Sequence, residues 1–185
     1  MTDTRRFSPF NNLNPLNFIK KNKRQTAVAI KDRTQERKVP AVVAASTSAI
    51  YGDDPVFPKI ETMAPRPLSP YAVSKLADEH YGKVFADLYG IRTIFLRYFN
   101  VFGPRQDPNG PYAAVVPRFF SAIRRGEAPV IYGDGTQSRD FTFVSDVVHA
   151  NLLAAGAPAE AFGRAYNVAP GGGVAVTDLA KAILT

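Results

Sequence analysis

The sequence predicts an α/β fold built on a parallel sheet, and three observations carry that expectation. Residues 39–45 form a short apolar run, β-branched in places, of the kind found in buried parallel strands. Residues 71–89 then show a helical hydrophobic period that stops at Gly90, a favoured residue just beyond a helix end. Residues 93–100 make a second β-rich run, through Ile94, Phe95, Leu96, Tyr98 and Phe99. Strand, helix and strand in that order define a βαβ unit, whose two strands lie parallel.

The elements follow in order. The first strand ends at the hydroxyl cluster Ser46-Thr47-Ser48, and a loop with five prolines leads to Tyr71. The helix from 71 to 89 offers Val73, Leu76, Tyr81, Val84, Phe85 and Leu88 as its apolar face. The second strand closes at Val101-Phe102-Gly103-Pro104. A helix is expected over 113–125, a short strand over 129–132, a turn at Gly133-Asp134-Gly135 and a strand over 139–144. Ser145 can cap a helix running to 155, 166–168 reads as a last strand, and Thr177 can cap a final helix.

Residues 1–38 read differently. They sustain neither a 3.6 nor a 2.0 period, contain Pro9 and Pro15, and hold five of the nine asparagines. They are expected to be an irregular leader, with at most a short helix over 25–36. The net charge of +7 is confined there: residues 1–38 carry ten Lys and Arg against three Asp and Glu, whereas residues 39–185 carry thirteen of each. A basic tail is weaker ground for nucleic-acid binding than a basic domain face, and the cluster Lys20-Lys21-Asn22-Lys23-Arg24 is read as solvated. No nucleic acid is expected as a partner.

Composition narrows the class further. A chain of 185 residues, 45% hydrophobic and 11% aromatic, suits a single domain with a full core. Without cysteine it can form neither a disulfide nor a thiolate metal site, which fits a cytoplasmic location. No apolar run approaches the roughly 20 residues of a membrane helix, and no apolar segment follows Arg5-Arg6 as in a signal peptide. His80 and His149 share no metal-ligand spacing with carboxylates, so no metal is expected.

The chemistry is carried by Ser69-Pro70-Tyr71-Ala72-Val73-Ser74-Lys75. Tyrosine and lysine four apart at a helix start share one face. A tyrosine ionises near pH ~10, and a neighbouring ammonium is what would make it a usable base near neutrality. An upstream hydroxyl from Thr47 or Ser48 would complete a proton relay, pointing to redox chemistry on an alcohol or sugar.

Several further motifs stand in order with this pair: Ala45-Ser46-Thr47-Ser48-Ala49-Ile50-Tyr51-Gly52, Leu96-Arg97-Tyr98-Phe99-Asn100-Val101-Phe102-Gly103-Pro104-Arg105-Gln106, Tyr112–Phe119, Ile131-Tyr132-Gly133-Asp134-Gly135 and Ser138-Arg139-Asp140-Phe141. Together they resemble the extended short-chain dehydrogenase/reductase superfamily, in its NAD-dependent epimerase/dehydratase branch. Within it they come nearest to the UDP-glucose and UDP-N-acetylglucosamine 4-epimerases. The resemblance covers residues 39–185, roughly four fifths of the chain. It implies a partial Rossmann (parallel sheet) domain plus a nucleotide-sugar-binding lobe, truncated at both ends. No counterpart of the family's Gly-x-x-Gly-x-x-Gly turn is present, the first glycine being Gly52, so the N-terminal NAD-binding half is read as absent.

By the same resemblance the cofactor is NAD, the partner is a UDP-sugar, and each motif residue acquires a role. Tyr71 would take the proton of the sugar 4-hydroxyl while hydride passes to the nicotinamide, leaving a 4-keto sugar that turns over before hydride returns. Lys75 would tune Tyr71 and, with it, hold the cofactor's ribose. Thr47 would hydrogen-bond the reacting oxygen, with Ser48 a second donor. Asn100 and Arg139 would take the diphosphate, Ile131 and Tyr132 would enclose the uracil, and Ala114 would line the sugar pocket. An alanine there leaves room for an N-acetyl group, hence an expected N-acetylhexosamine preference.

Without a visible NAD half the isolated chain is expected to be inactive, with the first strand left as an open edge. One alternative is a non-catalytic nucleotide-sugar-binding remnant or the product of a disrupted gene. Another is a reductase or dehydratase of the same superfamily, although Thr47-Ser48-Ala49 replaces the dehydratases' Thr-Asp-Glu. A homodimer or a separately encoded N-terminal half are the expected protein partners.

Overall fold

The computed structural model describes residues 41–109 and 114–184. Its elements in chain order are β1 (Val42–Thr47), α1 (Pro70–Tyr89), β2 (Thr93–Tyr98), β3 (Val101–Phe102), α2 (Val115–Arg124), β4 (Ser138–Asp140), β5 (Thr142–Phe143), α3 (Val144–Ala155), β6 (Arg164–Val168), β7 (Gly173–Ala175) and α4 (Val176–Leu184). The expected short helix over 25–36 lies outside the described residues.

β1, β2 and β6 form one parallel sheet in the order β1-β2-β6, with Ala45 beside Leu96 and Leu96 beside Tyr166. Side chains alternate across a strand, and β2 uses both faces. Ile94 and Leu96 join Val168 and Ala154 in a core beneath α3, while Thr93, Phe95 and Arg97 turn towards α1. Five of the six β2 residues are buried, as a central parallel strand covered on both faces requires.

The remaining strands are short. β3 pairs with β5 in parallel and β4 with β7 antiparallel. A second core gathers Phe119 of α2 with Val176 and Ala180 of α4, and Ile131 packs on it.

The helix at 70–89 is present, but its expected apolar face is covered only in part: Leu76, Tyr81 and Phe85 are half-buried, with Leu76 packed on Ile50, Tyr51 and Phe99. Val73, Val84 and Leu88 are 49%, 47% and 69% exposed, while Ala72, Glu79 and Gly82 are buried. The cause is a close approach to β2. A Cβ on Gly82 would stand 2.0 Å from the Phe95 ring, and the Thr93 hydroxyl donates to the Gly82 carbonyl at 3.0 Å. Small residues, rather than large apolar ones, let this helix reach the sheet.

Other boundaries also move. Residues 129–132 form no strand: Val130 and Tyr132 are exposed, and Ile131 alone anchors the segment. The expected strand over 139–144 divides into β4 and β5, because Asp140 and Thr142 pair with different partners. Ser145 does not cap α3, which starts at Val144 after Phe143, and its hydroxyl bonds the Asp146 carboxylate instead. Thr177 lies inside α4, and its amide donates to Gly135 O at 3.2 Å. Gly90 does end α1, in the left-handed conformation at φ 65°.

Gly82→Ala should lower stability by about 1–3 kcal/mol through overpacking against Phe95. Gly172→Ala, where no atom lies within 4 Å of an added Cβ, should be close to neutral. Urea unfolding of the two variants checks the contrast, and equal stabilities would dismiss the close-approach argument.

Candidate active site

In an open parallel sheet, ligands bind beyond the carboxyl ends of the strands, and the candidate residues gather there. β1 ends at Thr47, which is buried and whose hydroxyl accepts from the Ala49 amide at 3.2 Å. That bond opens a 3-10 turn over Ser48–Tyr51, and Ser48 is its half-buried first residue. α1 returns to the same edge. Ser69 caps it by accepting from the Ala72 amide at 3.1 Å, and Pro70 occupies its first position.

Tyr71 is therefore the second residue of α1. Its side chain is 55% exposed, and its hydroxyl has no hydrogen-bond partner among the described residues. One turn on, Lys75 Nζ donates to Ala45 O at 3.0 Å and stands 3.9 Å from the Asp78 carboxylate. An ammonium has three donors, so this anchor leaves the group able to reach a further acceptor. The structure thus brings Tyr71, Lys75, Thr47 and Ser48 to one end of β1 and α1.

Beneath them lies a polar network that the sequence reading did not single out. Glu79 and Arg97 form a buried, two-pronged ion pair at 2.7 and 3.0 Å. The Ser46 hydroxyl donates to Glu79 at 2.5 Å. Arg97 also donates to the Tyr51 hydroxyl at 2.8 Å, which donates in turn to Asn167 Oδ1 at 2.7 Å. Burial works against the Arg97 charge, but Glu79 and Tyr51 outweigh it and hold the guanidinium protonated. The network joins β1, α1, β2, the 3-10 turn and β6 directly behind the Thr47 and Lys75 positions. Glu79 stands four residues after Lys75, and Arg97 interrupts an apolar strand; those two signals were in the sequence.

The five expected substrate residues meet in one cleft. Asn100, Ala114, Ile131, Tyr132 and Arg139 all line a cavity of ≈ 250 Å³ in the smaller lobe. Asn100 donates to Asp140 O at 3.0 Å and so braces β4, the strand that presents Arg139. Arg139 is exposed, and its guanidinium donates to its neighbour's carbonyl, Ser138 O, at 2.9 Å. Ala114 precedes α2, while Tyr132 is 73% exposed. Tyr71, Lys75, Thr47 and Ser48 do not line this cavity. The candidates thus form two groups, a proton-handling cluster and an anion-and-ring cleft.

Asp140 faces away from Arg139 into another cavity, beside Phe99 and Asn167. Its Oδ2 accepts from the Gly171 amide at 3.2 Å, whereas Oδ1 is buried without a partner among the described residues. Burial pushes this carboxyl above the usual aspartate range, and the Gly171 amide pulls only partly the other way. His80 and His149 are exposed, and among the described residues no group of three His, Asp or Glu could hold a metal ion. No helix among them is long and apolar enough to cross a membrane.

The parallel sheet with its βα edge site defines a Rossmann-type nucleotide-binding class. More narrowly, the chain belongs to the NAD dependent epimerase/dehydratase family, whose model matches residues 6–169. It is 41% identical over 147 residues to the UDP-glucose 4-epimerase of Mycolicibacterium smegmatis, covering 80% of this chain and 45% of that protein. Its fold superposes on the UDP-N-acetylglucosamine 4-epimerase of Methanobrevibacter ruminantium, in complex with UDP-N-acetylmuramic acid, with a TM-score of 0.82 and 42% identity. That match covers 91% of this chain and 53% of the other. The Thermotoga maritima UDP-glucose 4-epimerase with UDP-glucose gives a TM-score of 0.79 at 37% identity, covering 91% of this chain and 56% of that one. The chain spans about half the length of each relative.

Two variants test the site's foundations. Glu79→Ala should cost roughly 3–5 kcal/mol by stranding Arg97, and Glu79→Leu with Arg97→Met should cost far less; chemical denaturation of the three proteins decides it. Asp140 holds its proton more tightly folded than unfolded, so its contribution is full below the unfolded value and is lost as pH rises through the raised one. Asp140→Asn should therefore gain stability relative to the wild type between acid and neutral pH. A difference in melting temperature that stays flat with pH would refute the desolvation argument.

Proposed function

We propose that this chain carries the catalytic and substrate-binding part of an NAD-dependent 4-epimerase acting on a UDP-hexose or UDP-N-acetylhexosamine. The observation that carries the reading is the single cleft shared by Asn100, Ala114, Ile131, Tyr132 and Arg139. An arginine and an amide suit phosphate oxygens, and an exposed tyrosine beside Ile131 suits a planar base. The family relatives crystallised with UDP-sugars support the substrate class.

Tyr71 and Lys75 fit the ribose end of NAD. The Tyr71 hydroxyl has no hydrogen-bond partner among the described residues, and the Lys75 ammonium is fixed at Ala45 O with donors to spare. When bound, NAD takes up a hydride from the substrate and returns it. The chain's own part is acid–base chemistry and orientation. Tyr71 holds or accepts the proton of the sugar hydroxyl, Thr47 and Ser48 orient that oxygen, and Arg139 with Asn100 keeps the diphosphate in place while the sugar turns. Ala114 leaves space for an N-acetyl group, which favours the N-acetylhexosamine. β1 pairs with β2 alone among the described residues, so its other edge can receive the rest of the family's sheet, in this chain or in a separate one. The family match from residue 6 supports counting much of 6–38 with the family domain.

The separation between cleft and proton-handling cluster favours one other reading, a nucleotide-sugar binder without turnover. Calorimetry with UDP-N-acetylglucosamine and NMR detection of epimer in the presence of NAD distinguish the two. Arg139→Ala should weaken binding about ten-fold or more, and Tyr71→Phe should abolish turnover while leaving binding intact. Binding without turnover in the wild type, even when a family NAD-binding half is supplied as a separate chain, assigns the second reading, and binding indifferent to Arg139→Ala rejects both. Ala114→Asn should shift preference towards UDP-glucose.

A further inference from the structure

A second cavity, of ≈ 790 Å³, opens between α2 and the turn that follows β3. It shares only the Phe102 and Val116 walls with the substrate cleft, and none of Asn100, Ala114, Ile131, Tyr132 or Arg139 lines it. Arg105, Arg124 and Arg125 line it, and no acidic residue does. Arg125 is engaged, through Glu127 at 2.8 Å and Ser121 at 2.8 Å. Arg105 and Arg124 are exposed and have no ion-pair partner among the described residues.

Arg105 is also the one non-glycine residue among those described with a positive φ, at 68°. An arginine held in the left-handed region is strained, and such strain persists where the fold needs a side chain in a particular place. Opposite the arginines stands an aromatic wall. The Phe102 and Phe143 rings meet edge to face at 5.3 Å, and Phe102 is braced again by Phe141 at 6.4 Å. Phe120 and Phe143 remain 52% and 41% exposed, so their rings are open to a ligand in the cavity.

We infer that this cavity is a second ligand site, distinct from the substrate cleft, that takes a nucleoside diphosphate. Its phosphates meet Arg105 and Arg124, and its base lies against Phe120 and Phe143. Two guanidinium groups without an ion-pair partner among the described residues match a diphosphate's charge and can bind its oxygens in pairs. Exposed phenylalanine rings stack a nucleobase whatever its identity. The cavity falls in the size range of small-molecule sites, about 300–1,000 Å³. The inference does not depend on the epimerase reading, because the residues of the two sites differ.

The test is calorimetric titration of the full chain with ADP and, separately, with inorganic pyrophosphate. In an Arg139→Ala background, where the substrate cleft has lost its diphosphate contact, saturable ADP binding is expected, weakened about ten-fold or more by adding Arg124→Ala or Arg105→Gly and several-fold by adding Phe120→Ala. Glycine at 105 accepts the positive φ, so that variant removes the guanidinium without disturbing the turn. Thermal melts confirm that each variant is folded. The proposal is overturned if ADP does not saturate, or if its binding follows Arg139 rather than Arg105 and Arg124. Pyrophosphate binding as tightly as ADP, with no effect of Phe120→Ala, would refute the nucleoside and leave a bare anion site.

Discussion

The buried pair between Glu79 and Arg97 is the interaction on which the rest of the site depends. Charges of this kind are costly to remove from water, and a pair of them is retained only where geometry and further hydrogen bonds compensate. Here the compensation comes from Ser46, Tyr51 and the two-pronged contact itself. Each of those partners belongs to a different element. The pair consequently fixes the rotation of α1 against β1 and β2, and with it the placement of Lys75 at Ala45 O. A helix held by apolar packing alone could slide or roll; one held through a directional carboxylate cannot do so without stranding both charges.

The same linkage explains why α1 presents small residues to the sheet. With Phe95 pressed against Gly82, the helix sits close enough for Glu79 to reach Arg97. Its bulkier apolar residues, Val73, Val84 and Leu88, are left facing outward. The smaller lobe is organised differently. Its core is Phe119, Val176 and Ala180, and its cleft is shaped by short strands and turns. Asn100 connects the regions, since it follows β2 and braces β4 through Asp140 O. Tyr71, Lys75, Thr47 and Ser48 thus stand at sheet and helix ends, while Asn100, Ala114, Ile131, Tyr132 and Arg139 line a cleft framed by short strands and turns.

Much of the fold was legible because its signals are local. Gly90 ends α1, Ser69 and Pro70 start it, and the apolar runs at 39–45 and 93–100 mark strands that the structure places at 42–47, reaching into the hydroxyl cluster, and at 93–98. Where the reading failed, the deciding contact was distant. Residues 129–132 have strand-like composition, yet only Ile131 joins a core cluster, and the segment forms no strand pairing among the described residues. The run after Gln137 looked continuous, but β7 and β3 claim its two halves separately. Ser145 and Thr177 have good capping chemistry, but α3 and α4 begin at Val144 and Val176, two residues before those caps would start them.

By itself, then, the sequence determined the α/β class, the order of most elements, the family motifs and the residues those motifs single out as candidates. Those depend on propensity, periodicity and spacing, which are properties of neighbours in the chain. Tertiary structure alone decided which face α1 buries, that Ser46, Tyr51, Glu79, Arg97 and Asn167 form one network, and that five scattered residues line one cleft. These depend on contacts between residues as far as 116 positions apart. No local pattern encodes such a meeting, because the energy that selects it exists only once the elements have packed.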